Sequence, residues 1–371
     1  MKNDVIALTR ALVAQDTINP PGNEASLAKL VGKLLAENGF KVEYVPFGPD
    51  RLHVIAERGL DGKQLPIVFT GHFDTVPLGN QKWTMDPFAG EIKEGKIYGR
   101  GTTDMKGAVA AMTIAAIEVF EEGVPSGGIR LVLTAGEELG CQGAMDLVKT
   151  YTGLGQARGI IVGEPTGNIP AIGHKGALYL NLEATGITAH SSMPQLGDNA
   201  IYKVAKAIVR MEQFDFGQQE DPLLGYSTIN VGKVSGGLNI NSVPDRAGFT
   251  IDARITSNLH NNDVLEQIKK ELGNDIDVEV LVNLPAVAND PEAAFICGVY
   301  DACGTSDSER KAPKTMPYLT DGSVLQKAYG GIPTVIIGPG EPQIAHKIDE
   351  YCDVSKLEQA VDIYKKIICN T

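Results

Sequence analysis

Five short apolar runs recur along the chain: "LHVIA" (52–56), "PIVFT" (66–70), "IRLVLTA" (129–135), "GIIVGEP" (159–165) and "PTVIIGPG" (333–340). Each is short enough for a strand and rich in β-branched or aliphatic residues on both alternating faces. Helical segments lie between them, notably 107–122 ("GAVAAMTIAAIEVFEE") and 353–369. Near the start, Leu27, Leu30, Val31, Leu34 and Leu35 recur at helical spacing, and Asn38-Gly39 ends that helix. Strands buried on both faces and alternating with helices imply an α/β fold with a mixed, mostly parallel sheet flanked by helices.

The middle of the chain has another rhythm. A strand (176–186), a helix (199–214), two strands (227–237 and 246–255), a helix (262–272) and a strand (275–283) follow one another. Apolar and polar residues alternate along these strands, as in a sheet with one wet face. This β-α-β-β-α-β order predicts a ferredoxin-like α+β domain. It is expected over 177–285, inserted into one catalytic domain made of 1–176 and 286–371.

A chain of 371 residues is long enough for two domains with cores of their own. The formal net charge of -13 argues against nucleic acid or an anionic membrane surface as a partner. Five scattered cysteines without a CxxC pair fit a reducing compartment. The opening segment is an amphipathic helix running into Pro20-Pro21-Gly22, without the apolar core of a signal peptide. No run reaches the ~18 apolar residues of a membrane span. A soluble, cytoplasmic protein is expected.

Chemistry-bearing residues collect where the strands end. "GHFDTVP" (71–77) puts His72 and Asp74 two apart, on one face of an extended backbone. "YGRGTTDMKG" (98–107) lacks both the GK[ST] ending and GxGxxG of phosphate loops, which leaves Asp104 just before a helix. "TAGEELG" (134–140) closes its strand with Glu137 and Glu138, "VGEPT" offers Glu164, and "EPQIAHKIDEYC" offers His346. Taken singly, each has a structural explanation: an ordinary turn for His72 and Asp74, an N-cap for Asp104. Together, two histidines and several carboxylates at strand ends suit two divalent ions bridged by one carboxylate. Zn²⁺ is the default, with Co²⁺ or Mn²⁺ possible. One glutamate of the adjacent pair then suffices as a ligand, leaving the other free as a general base on a water bridging the metals.

These motifs, in this order, resemble the signature of the di-zinc amidohydrolases. That family includes acetylornithine deacetylase, succinyl-diaminopimelate desuccinylase, aminoacylase and glutamate carboxypeptidase. The resemblance runs from about residue 5 to 369. It implies that His72 binds the first metal with Asp74 orienting it, that Asp104 bridges both metals, and that Glu164 completes the first site. It implies further that Glu138 and His346 complete the second site, while Glu137 takes a proton from the water and hands it to the leaving amine. In the inserted domain, His190 of "GITAHSSMP" would stabilise the oxyanion, in some relatives from a dimer partner. Asn241 and Arg254 would hold the substrate's carboxylate.

The implied activity is hydrolysis of an N-acylated amino acid, with acetylornithine-deacetylase-like chemistry placed first. Desuccinylation of succinyl-diaminopimelate follows, then a dipeptidase or glutamate carboxypeptidase. The implied assembly is a homodimer. The non-enzymatic alternative, an inactive metal-binding scaffold, would be marked by loss of Glu137 or of a ligand, and none is lost. "YLTDGS" (318–323) reads as a further substrate loop with unassigned roles. His53 reads as packed, His174 as structural, and Cys141 as a pocket neighbour of Glu138.

Overall fold

The computed structural model describes residues 4–123, 125–217 and 219–371. The chain forms two compact units. One comprises 1–173, 289–316 and 320–371, the other 174–288 with 317–319.

In the first unit, α1 (Val5–Val13) is capped by Asp4, whose carboxylate accepts the Ala7 amide proton at 2.8 Å. α2 (Ala25–Glu37) turns Leu27, Val31, Leu34 and Leu35 inward and ends at Asn38. A hairpin of β1 (Lys41–Gly48) and β2 (Arg51–Arg58) follows, then β3 (Ile67–His72), α3 (Lys106–Glu122), β4 (Ile129–Thr134), α4 (Gln142–Thr150) and β5 (Gly159–Val162). The chain then builds the second unit from β6 (Gly176–Thr185), α5 (Ala200–Glu212), β7 (Thr228–Gly236), β8 (Arg246–Ile255), α6 (Asn261–Leu272) and β9 (Asp277–Leu284). It returns to the first unit with β10 (Thr334–Ile336) and α7 (Val354–Asn370).

The first unit's sheet runs β1-β2-β4-β3-β5-β10 and continues past β10 through the antiparallel strand Ala171–His174. β3 is parallel to both β4 and β5, and β5 is parallel to β10. All residues of these four strands are buried, as expected of a sheet covered on both faces. Register then sets what emerges together. His72 lies opposite Thr134, Thr70 opposite Val162, and Ile336 opposite Val162. The segments that follow these strands therefore leave the sheet side by side at its carboxyl edge, where such sheets bind ligands.

α3 is buried on every side from Lys106 to Ile117, as befits a helix apolar all round. Its alanines (Ala108, Ala110, Ala111, Ala115 and Ala116) fit it closely among β3, α1 and α7. α7 in turn buries Tyr364, whose ring meets Phe69 edge-on at 5.4 Å. The Tyr364 hydroxyl donates to the Ile337 carbonyl at 2.7 Å, and the Ile337 amide donates to Val162 at 2.8 Å.

The second unit is a four-stranded antiparallel sheet in the order β7-β8-β6-β9. Phe249, Ile251 and Ala253 of β8 face a core completed by Val204 and Met211 of α5 and Ile268 of α6. This is the ferredoxin-like order expected from the periodicity. Some details differ from the sequence reading, among them the second unit's span of 174–288 with 317–319 rather than 177–285. β1 was not expected, and the late strand spans three residues rather than eight, because the Gly338-Pro339-Gly340 segment leaves the ladder. Among the described residues, no helix is long and apolar enough to cross a membrane.

Tyr364→Phe should leave the Ile337 carbonyl without its buried partner and cost about 1–2 kcal/mol of stability. The urea midpoint of the variant measures this, and an unchanged midpoint would contradict it.

Candidate metal centre

His72 ends β3 and is almost wholly buried. Its Nδ1 lies 3.0 Å from the Asp74 carbonyl oxygen and 3.6 Å from Asp74 Oδ1. A proton on Nδ1 is therefore engaged by Asp74's backbone, which leaves Nε2 as the ligating atom. Nε2 faces Asp104 Oδ1 at 3.1 Å and Glu164 Oε1 at 3.6 Å. Burial disfavours charge on this imidazole, but Asp104, Asp74 and Glu164 outweigh it and push the group well above its ordinary range.

The Asp74 carboxylate points the other way, into the turn after β4. Oδ1 accepts the amide protons of Gly136 at 2.9 Å and Glu137 at 3.0 Å, and Oδ2 accepts that of Glu138 at 3.1 Å. Asn19 Nδ2 also donates to Oδ2, at 2.9 Å. Burial works against the charged form, yet His72 and these donors hold the carboxyl down to about 2. His53 Nδ1 accepts the preceding amide, that of Ala135, at 3.1 Å. Four successive amides of the turn are thus taken by two side chains. Gly136 makes the turn possible with φ at 81°, a conformation that glycine adopts without strain.

Asp104 receives both imidazoles. Oδ1 faces His72, and Oδ2 lies 3.2 Å from His346 Nε2. His346 Nε2 is also 3.2 Å from Glu138 Oε2. Burial opposes the Asp104 charge, but the two imidazoles hold its carboxyl well below the usual range. Asp104 and Glu138 push the half-exposed His346 up to about 10. The Asp104 turn is fastened from beneath by Glu350. Its Oε1 accepts the amide protons of Gly101, Thr103 and Asp104 at 3.0, 2.9 and 3.2 Å.

The donor set fits a pair of divalent ions. Ligating atoms of His72, Asp104 and Glu138 lie within 4.8 Å of one another, as do those of His72, Glu137 and Glu164. Glu138 Oε1 is buried with no hydrogen-bond partner, which is how a ligand atom stands toward a cation. The two Asp104 oxygens face different histidines, as a bridging carboxylate requires. Burial pushes Glu137 well above the carboxylate range, and Asp321, Glu138 and Asp74 add to this against the pull of His72. Behind Glu137 lie Cys141, whose Sγ is 3.4 Å from Glu137 Oε1, and Asp321, which accepts the Thr134 hydroxyl proton at 2.6 Å.

His72, Asp74, Asp104, Glu137, Glu138, Glu164 and His346 therefore converge within the first unit. His190, Asn241 and Arg254 belong to the second. There, His190 and Asn241 are exposed on adjoining segments, since Ser191 N–H donates to the Asn241 carbonyl at 3.1 Å. Arg254 Nε donates to Asp252 at 2.8 Å, and its guanidinium lies 5.1 Å from the Tyr179 ring. Asn19, Arg100, Glu350 and Asp321 were missed as site residues. Glu350 and Asp321 stand inside the motifs "HKIDEY" and "YLTDGS", and that position was the available signal.

A profile of peptidase family M20/M25/M40 matches residues 68–370. A probable succinyl-diaminopimelate desuccinylase of Staphylococcus aureus is 32% identical over 98% of this chain and 97% of its own length. Among solved structures, the fold is similar to that of an M20 family metallo-carboxypeptidase from Sulfolobus solfataricus. That likeness has a TM-score of 0.81 and 19% identity, over 99% of both chains. The fold is also similar to that of the Bacillus subtilis YXEP protein, a dinuclear metal binding peptidase. Here the TM-score is 0.71 and the identity 16%, over 98% of this chain and 96% of that one.

In metal-free protein, Glu137, Glu138, Glu164, His72 and His346 all sit above their ordinary values. The folded state then holds protons that the unfolded chain has released, so stability falls as pH rises from the ordinary carboxylate range toward about 10. Asp74 and Asp104 act oppositely, but only below their ordinary value. Buried His53, His174 and Lys106, held down to about 4, 4 and 7, offset part of the decline without outnumbering the five raised groups. The urea midpoint of chelator-treated protein should therefore decline between about pH 5 and about pH 9, and added Zn²⁺ should raise it at about pH 8. A midpoint that rises with pH in the metal-free protein would refute this.

Proposed function

This chain belongs to peptidase family M20/M25/M40, and on that premise we propose that it hydrolyses the amide bond of an N-acylated amino acid at a pair of divalent ions. The observation that carries the reading is the meeting of two histidines and four carboxylates in two groups that share His72, one of them holding the unpartnered Glu138 Oε1. His72, Asp104 and Glu164 would hold one ion, and Asp104, Glu138 and His346 the other. Zn²⁺ suits this donor set, with Co²⁺ or Mn²⁺ as substitutes. Such ions, when bound, polarise the scissile carbonyl and make water nucleophilic near neutral pH.

Glu137 does the proton work. It sits on the turn that Asp74 clamps, so its carboxylate is held in place while it accepts a proton from the attacking water. It then delivers that proton to the departing amine. Its raised affinity for protons, set by burial, suits both halves of this task. His190 would donate to the developing oxyanion, and Asn241 and Arg254 would bind the substrate's carboxylate.

The 32% identical relative named as a probable desuccinylase favours an N-succinyl amino acid as substrate. Deacetylation of acetylornithine comes next, and cleavage of a carboxyl-terminal residue from a short peptide third, in line with the carboxypeptidase of like fold. The second unit is read as the dimerisation domain. Its edge strand β7 and the following loop expose Val234, Leu238 and Ile240, the last two at 98%. A second copy pairing along this edge would cover both the open ladder and these side chains. Five free cysteines suit a cytoplasmic location.

Amine release from N-succinyl-diaminopimelate, N-acetylornithine, other N-acetyl amino acids and dipeptides should be zinc-dependent and concentrated on one class. No turnover by protein that binds two metals would refute the hydrolase reading for these substrates. Glu137→Gln should retain both metals and lose ~10²–10⁴-fold or more in kcat. Full activity would remove Glu137 from its role. His346→Ala should lower the occupancy of one metal, and unchanged two-metal stoichiometry would take it off the ligand set.

A further inference from the structure

Glu350 has no part in the chemistry above, yet it is a fully buried carboxyl group. Its Oε1 takes the three amide protons of the Asp104 turn, and its Oε2 accepts Arg100 Nη1 at 2.6 Å. Arg100 is buried as well. It donates from Nη1 to the Lys347 carbonyl at 3.2 Å and from Nη2 to the Pro77 carbonyl at 3.1 Å. Its guanidinium lies 5.0 Å from the Trp83 ring. The same segments are pinned again where Gly99 N–H donates to the Glu350 carbonyl at 2.8 Å and the Thr103 hydroxyl donates to the Tyr351 carbonyl at 2.6 Å. One ion pair thus touches three stretches of chain: the one after His72, the one bearing Asp104, and the one after His346.

Resting on the metal reading, we propose that Glu350 and Arg100 are a positioning pair that fixes Asp104 and His346 relative to each other, and so sets the affinity of the second ion. His346 needs such support. It has φ at 65° and is half-exposed, so its own packing does little to hold it. Glu164 and His72, by contrast, stand at the ends of buried strands and take their place from the sheet register. Asp104 serves both ions, but the first is also held by His72 and Glu164 on the sheet. Loss of the pair therefore weakens the ion held by Asp104, Glu138 and His346 more than the ion held by His72, Asp104 and Glu164. Glu350→Gln keeps one acceptor oxygen for the amides but turns an N–H toward Arg100 and leaves that cation unpaired.

The test is metal titration of the full chain against a competing chelator, with Zn²⁺ for affinity and Co²⁺ for its visible absorption. Wild-type protein should bind two ions. Glu350→Gln should bind the second ion ~10–100-fold more weakly and the first, which shares Asp104, no more than about threefold more weakly. Its cobalt spectrum should change most for the second equivalent, and Glu350→Asp should recover part of the loss. A second-site affinity within about threefold of wild type would overturn the proposal, as would equal weakening of both sites with an unchanged cobalt spectrum, the mark of a merely structural role. Should Glu350→Gln fail to fold, the charge-balanced Arg100→Gln/Glu350→Gln double variant takes the same titration, and a normal second site there would overturn the proposal equally. A wild-type chain that binds no second ion would sink the metal reading itself, and this assignment with it.

Discussion

The centre depends on how carboxylates are satisfied in the interior. Asp74 and Glu350 each accept three backbone amide protons from one turn and a side-chain proton besides, from Asn19 for Asp74 and from Arg100 for Glu350. The donors and His72 hold Asp74 down to about 2, whereas burial outweighs the donors of Glu350 and raises it. Amide donors fixed by the fold stand in for water around the anion, and the anion in turn fixes the turn. Asp74 holds the residues that follow β4, and Glu350 holds those that precede α3. Every carboxylate facing the centre except Glu164 hangs from one of these two clamps.

The sheet supplies the coarser alignment. Parallel strands in register end together, so His72, the Glu137-Glu138 turn and Glu164 arrive at one edge without any loop having to reach. The clamps then settle what register leaves open, namely the direction of each side chain beyond the last ladder hydrogen bond. This division of labour suits a reaction in which small displacements are costly. It also explains why side chains with no chemistry of their own lie so close beneath those that have it.

The fold was legible in the sequence because its buried strands are continuous apolar runs and its one-sided sheet alternates. β1 was not, since "KVEYVPFG" mixes charge and proline and is only half-buried at a sheet edge. The strand ends pointed to the residues that the fold brings together, because histidines and carboxylates stand out after apolar runs. The clamps were harder to read. Glu350 bonds to amides nearly 250 residues away, and Asn19 is one polar residue in a polar loop. Neither spacing nor composition carries such a contact. Asp74 was visible as a partner of His72, but its grip on the turn after β4 depends on strand register, which pattern alone does not supply.

The centre draws on both flanks of the second unit, which has a consequence for synthesis on the ribosome. About 180 residues separate Glu164 from His346, roughly 10–40 s of elongation at ~5–20 residues per second. During that time the nascent chain already carries His72, Asp104, Glu137, Glu138 and Glu164, but neither His346 nor the Glu350 that fastens the Asp104 turn. The inserted unit, local in its contacts, is made and can fold within the interval. Assembly of the centre is therefore a late event in the life of each molecule, postponed by the order in which its parts are written.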